Sequence, residues 1–120
     1  MYPSGTWIGY WHQSRVGRHP MKEFELHFQP DGTVSGHGVD MVGRFTFDGE
    51  WDRSTGRVQM VKQYLGKHQV HYDGKPDGEG SITGTRTIHY RGGVYDSGPF
   101  GLSPHLPKPT GDEPIQEIGK

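Results

Sequence analysis

The stretch MKEFELHFQPDGTVSGHGV, residues 21–39, decides the fold class. Its first half alternates strictly: Lys22, Phe24, Leu26 and Phe28 share one face of an extended strand, and Glu23, Glu25, His27 and Gln29 share the other. This is the period of two with which a strand buries one side and solvates the other. Pro30-Asp31-Gly32 then has the chemistry of a three-residue hairpin loop, the proline favouring a type I turn and the glycine free to take the left-handed position. That loop predicts a register of Phe28 opposite Val34, Leu26 opposite Gly36, Phe24 opposite Gly38 and Lys22 opposite Asp40. Large side chains then lie over glycines that allow tight curvature.

The same signals recur outward from this hairpin at roughly the 8 to 12 residue spacing of all-β folds. They predict strands over 6–12, 21–29, 33–39, 43–51, 57–64, 68–74, 80–89 and 94–103, with reversals at Thr55-Gly56, Asp73-Gly74 and Asp77-Gly78. Eight strands suffice to close a small antiparallel up-and-down β-barrel, here a single domain over residues 1–103. Beyond it, residues 104–120 carry Pro104, Pro107, Pro109 and Pro114 with few apolar partners and read as a flexible tail. With 29% hydrophobic residues, 20 Gly and no Ala, the core must rest on rings such as Trp7, Trp11, Phe24, Phe28, Phe45, Phe47 and Trp51, and helix is not expected.

A net charge of −1 offers no overall basic surplus, so neither nucleic acid nor a membrane is an expected partner. No apolar run approaches the roughly 20 residues that span a bilayer, and Met1 to Gly9 lack the regions of a signal peptide. Zero Cys excludes disulfides and thiolate chemistry, and a soluble, cytoplasmic protein is expected.

Core-facing parity picks out the candidate site. Besides Gly43, Phe45, Phe47, Gly49 and Trp51, it turns inward Val58, Met60, Lys62 and Tyr64, then His68, Val70 and Tyr72, then Ile82, Gly84, Arg86 and Ile88. If strands alternate in direction, Trp11, Lys22, Asp40, Lys62, Tyr64, His68 and Arg86 gather at one barrel mouth. Arg86 offers a planar fork for a carboxylate, Trp11 and Tyr64 offer rings with polar tips, and His68 offers an imidazole that can donate or accept a hydrogen bond. The bland reading of the same cluster is a plug in which Asp40 neutralises Lys22, Lys62 or Arg86.

The eight histidines are scattered without an HExxH spacing, so neither a metal nor another cofactor is expected. No nucleophile elbow or phosphate-binding loop supports catalysis; the one enzymatic sketch uses His68 as base with Arg86 and Lys62 as anion stabilisers.

Gly5-Thr6-Trp7, Asp31-Gly32-Thr33-Val34-Ser35-Gly36 and Phe47-Asp48-Gly49-Glu50-Trp51-Asp52 resemble segments in the first half of the avidin and streptavidin family. The resemblance covers about half the chain and implies an eight-stranded barrel, in the broad lipocalin-like style, that holds a ligand in one mouth. The family's biotin-contacting positions are not matched: Gly9 stands where its pattern has Asn, Gly38 where it has Tyr, and no Trp follows Trp51.

The function expected is non-catalytic binding of a small anionic or amphipathic ligand at the mouth. The alternatives are a filled barrel acting as a structural or protein-interaction module, and the His68 enzyme. Incomplete closure between the first and last strands would give a homodimer by edge pairing.

Overall fold

The computed structural model describes residues 2–13 and 17–105. Eight antiparallel strands close in sequence order: β1 Gly5–Gln13, β2 Gly17–Phe28, β3 Thr33–Val39, β4 Arg44–Trp51, β5 Val58–Tyr64, β6 Gln69–Pro76, β7 Ile82–Tyr90 and β8 Gly93–Pro104. β1 pairs with β8 from Trp7 opposite Pro104 to Trp11 opposite Phe100, so closure leaves no open edge between the first and last strands. β8 continues through Pro104, and His105 N–H donates to Thr6 O, so the barrel extends slightly past its expected end. Residues 106–120 of the expected tail lie outside the described residues.

The Pro30-Asp31-Gly32 hairpin forms as its residues require. Gly32 has φ +94°, Gln29 N–H donates to Thr33 O, and Asp31 Oδ1 accepts from Thr33 N. Phe28 pairs with Val34 and Leu26 with Gly36. Asp73-Gly74, by contrast, is not a reversal: both residues lie inside β6, and the chain turns at Asp77–Ser81. Gly74 is an inward position at which a side chain would strike Ile82 and Phe100. The glycine there relieves crowding rather than turning the chain.

Parity fails at one place that matters for the site. Trp7 pairs with Phe24 but Gly9 pairs with Met21, so β2 carries one extra residue, a β-bulge. Met21 and Phe24 both point inward, while Lys22 and Glu23 both turn out. β2 also starts earlier than expected, at Gly17, because Pro20 sits where β3 does not reach; β3 pairs only with Glu25–Phe28. A single ladder tolerates the missing N–H.

The lumen is packed with rings. At the end that carries the hairpin loop, Tyr2, Trp7, Phe28 and Trp51 meet with centroids 5.1–6.2 Å apart, and Tyr2 Oη donates to Gly56 O. Midway, Phe47 lies edge-on to Tyr72 at 5.4 Å and Tyr72 edge-on to Phe100 at 4.7 Å. Full burial of one such side chain contributes about 1.5–3 kcal/mol, so the 17 buried hydrophobic residues among those described give the barrel a core despite the low apolar count.

Backbones approach closely where β6 and β7 pair. A Cβ at Gly84 would meet Asp73 O and Gly74 Cα, both backbone atoms that cannot yield as a side chain can, whereas one at Gly93 would meet nothing within 4 Å. Gly84→Ala is therefore expected to lower the urea-unfolding free energy by about 1–3 kcal/mol. Gly93→Ala should change it by less than about 0.5 kcal/mol; equal effects would refute the close-approach account.

Candidate functional site

The β3–β4 connection prepares the first half of the site. Asp40 N–H donates to Gly43 O at 3.0 Å and Gly43 N–H returns to Asp40 O at 3.1 Å, while Asp40 Oδ1 accepts from Val42 N at 2.8 Å. This small turn aims the other carboxylate oxygen at the lumen. Alternation along β5 brings Lys62 and Tyr64 to meet it: Lys62 Nζ and Tyr64 Oη each donate to Asp40 Oδ2 at 2.6 Å. The side chains of Lys62 and Asp40 are both fully enclosed. Lys62 Nζ further lies 4.3 Å from the Phe45 ring centroid and 4.7 Å from that of Tyr64, contacts that each favour a desolvated cation by roughly 0.5–2 kcal/mol.

Burial pushes the Lys62 ammonium down to about 8, against the hydrogen bond and charge of Asp40, which hold it up. Burial also pushes the Asp40 carboxyl up, but hydrogen bonds from Lys62 and Tyr64, the Lys62 charge and the Val42 amide outweigh it and hold Asp40 below its ordinary range. The Tyr64 phenol is raised, first by burial and then by its bond to Asp40, and burial raises Tyr72 as well.

Arg86, on β7, forms the second half. Its Nη2 donates to Asp96 Oδ2 at 2.7 Å and to His12 O at 2.8 Å, Nε donates to His12 O at 3.2 Å, and its Cζ lies 4.9 Å from the Trp11 ring centroid. Trp11 is also stacked against the His19 ring, with centroids 4.1 Å apart. Arg86 is 1% and Trp11 8% exposed, yet Arg86 Nη1 and Trp11 Nε1 have no hydrogen-bond acceptor among the described residues; neither does His19 Nε2.

Five of the seven expected residues thus come together inside the mouth: Trp11, Asp40, Lys62, Tyr64 and Arg86. Lys22 does not, because the β2 bulge turns it outward, and of the three expected partners of Asp40 it is Lys62 that takes the carboxylate. His68 is not enclosed either. β6 begins only at Gln69, after a tight reversal in which Tyr64 N–H donates to His68 O, so His68 stands exposed at the rim, 5.1 Å from the Tyr64 ring.

Sequence reasoning missed Asp96, His19 and the His12 carbonyl. Counting by twos back from Phe100 through Gly98 reaches Asp96, which pairs with Ile88, and counting back from Met21 reaches His19. The His12 carbonyl has no side-chain signal. Among the described residues, no group of three or more His, Cys, Asp or Glu is placed to hold a metal ion.

Beneath the mouth, a void of about 30 Å³ is bounded by Trp11, Tyr64, His68, Val70, Tyr72 and Arg86, among others. Trp11, Val42, His68 and Ile88 are shared between it and an open cleft of about 650 Å³ that is completed by Gln13, His89, Tyr90 and Tyr95. A depression of similar size, about 600 Å³, lies on the outer faces of β4 to β7. Volume therefore does not single out the mouth, but the buried donors without acceptors do.

No protein-family model matches the chain, and neither a curated protein nor a solved structure shows significant similarity to it.

The buried pair sets a pH signature. Lys62 has a folded value near 8 against an ordinary 10.5, so above pH 8 the unfolded chain binds more protons at this group, and stability rises with pH. Above about pH 10 the raised Tyr64 and Tyr72 reverse the trend, because unfolded tyrosines ionise first. Asp40, held low, supports the fold at neutral pH and loses that contribution as pH falls from about 4 through its folded value. Urea unfolding should show the parent gaining stability between pH 8 and 10 relative to Asp40→Asn/Lys62→Met, and Asp40→Asn alone should cost about 3–5 kcal/mol at pH 7. Parallel pH profiles for parent and double variant would refute the assignment.

Proposed function

We propose that this chain is a non-catalytic barrel that binds a small amphipathic anion at its mouth, the anionic tip against Arg86 and Trp11 and the apolar body in the cleft above. One observation carries the reading: among the described residues Arg86 Nη1 and Trp11 Nε1 are buried donors without acceptors, and their residues bound one small void under an open cleft with largely apolar walls. A buried donor left unmade costs about 1–3 kcal/mol, more when charged, which a carboxylate oxygen would relieve. The stacking of Arg86 on Trp11 favours the cation but supplies no acceptor to either N–H.

The remainder of the reading follows from which charges are spoken for. Asp40 is committed to Lys62 and Tyr64, and Asp96 to Arg86. The void is far below the ~300 Å³ of an enclosed small-molecule pocket. It fits a head group, and the body of the ligand must lie in the cleft. The likeness to avidin-type barrels is, on this view, one of architecture: Gly5-Thr6-Trp7 opens β1, but the mouth is furnished with different side chains.

The packed lumen favours a second reading, a filled barrel that serves as a protein-interaction scaffold. Isothermal titration with octanoate and octanol separates the two. Octanoate should bind saturably and octanol should not, and Trp11→Phe, which keeps a ring but removes the indole donor, should weaken octanoate about tenfold. If butyrate, octanoate and dodecanoate all fail to bind, the mouth is a structural plug and the scaffold reading takes its place.

A further inference from the structure

The exposed side chains that neither the lumen nor the floor of the mouth uses are divided unevenly between the two barrel ends. Antiparallel closure in sequence order puts the β1–β2, β3–β4, β5–β6 and β7–β8 connections at the mouth and the other connections at the opposite end. Around the mouth stand Val39, Met41, Leu65, Tyr90, Val94 and Tyr95, each 53–71% exposed. The remaining exposed large hydrophobic among the described residues, Ile8, lines a depression together with Val39 and Met41.

Cations are interleaved with this apolar rim. Arg18, Arg44, Lys67 and Arg91 are exposed at or beside the mouth connections, and Lys22, turned out by the bulge, joins the depression at Met41. The one carboxylate in the described part of these connections, Asp40, is buried against Lys62. Glu23 also lines that depression, on its flank side, and lies 3.2 Å from His105. The opposite end has the reverse character: Asp31, Asp52, Asp77 and Glu79 are exposed there beside Arg53, Arg57 and Lys75, with no exposed large hydrophobic among the described residues. The net charge of −1 averages over these two ends and conceals the basic one.

We infer that the mouth end docks on the surface of an anionic phospholipid bilayer. Loop tips that ring an opening offer separate contacts around a perimeter, which suits a broad, flat surface better than the groove a peptide would need. Apolar and aromatic tips enter the boundary between head groups and acyl chains, and cations beside them meet phosphate and carboxylate head groups. The strand exteriors rule out deeper entry. Outward residues such as Glu25, Asp48, Gln59, His71, Asp73 and Thr85 are polar while the lumen holds the rings, the inverse of a membrane-spanning barrel.

Co-sedimentation of the full chain with vesicles tests this. Binding is expected to mixed phosphatidylcholine–phosphatidylserine vesicles at low salt, not to phosphatidylcholine alone, and high salt should release it. Arg44→Glu/Arg91→Glu should weaken binding about tenfold or more, since each juxtamembrane cation contributes a factor of roughly five. Leu65→Ser/Tyr95→Ser should weaken it as well, while Arg53→Glu at the opposite end leaves it unchanged. All five positions are exposed, and unchanged thermal melting of the variants verifies that the fold is intact. Absence of sedimentation with anionic vesicles at low salt, or equal loss from Arg53→Glu, overturns the inference. Octanoate titration on the same samples keeps the two proposals apart: octanoate binding without vesicle binding sinks membrane docking alone, and the converse sinks the mouth ligand alone.

Discussion

The constraint on which the site depends is the burial of two cations, Lys62 and Arg86, in a lumen otherwise filled by rings. Neither is tolerable there without an acceptor, because desolvating an ion costs several kcal/mol even after relaxation. Lys62 is answered by Asp40, whose carboxylate the β3–β4 turn aims inward, and by the faces of Phe45 and Tyr64. Arg86 is answered by Asp96 and the His12 carbonyl, so its position ties β7 to β8 and to the end of β1. The β3–β4 connection and the closing strands are thus held in place by the need to neutralise charge.

The two cations differ in how fully they are satisfied, and that difference separates structure from function. Lys62 has a carboxylate at 2.6 Å, ring faces on other sides and full enclosure; it behaves as a structural plug. Arg86 has a wider fork, and after Asp96 and His12 have taken Nε and Nη2, Nη1 is left over beside the Trp11 indole. A lysine could have been closed off with fewer acceptors; arginine brings five donors in fixed directions, which makes it suited to hold a strand pair and still present a donor to a ligand.

Much of this was legible in the residues. Alternation and turn chemistry give all eight strands, with ends within a few residues, because a half-buried strand writes its burial directly into every second position. The inward set at Lys62, Tyr64 and Arg86 follows from that alternation, since β5 and β7 remain regular over those residues. Lys22 and His68 escaped for a common reason: parity counting assumes an uninterrupted ladder, and the β2 bulge and the late start of β6 interrupt it. Asp73-Gly74 misled because a glycine needed for close packing has the same letter as one needed for a turn. The division of the surface into a basic, apolar end and an acidic end is set by topology, and no summed charge contains it.

The claim at the centre of the account is that the Arg86 and Trp11 donors are available to an anion entering by the mouth. Nitrogen-detected NMR of the indole and guanidinium N–H groups during an octanoate titration reads those atoms directly. The account predicts saturable shifts of the Trp11 indole and an Arg86 guanidinium signal, while the enclosed Trp7 indole, which donates to Pro3 O, stays still. If the Trp11 and Arg86 resonances do not move at octanoate concentrations that saturate any binding, the donors are not a ligand site.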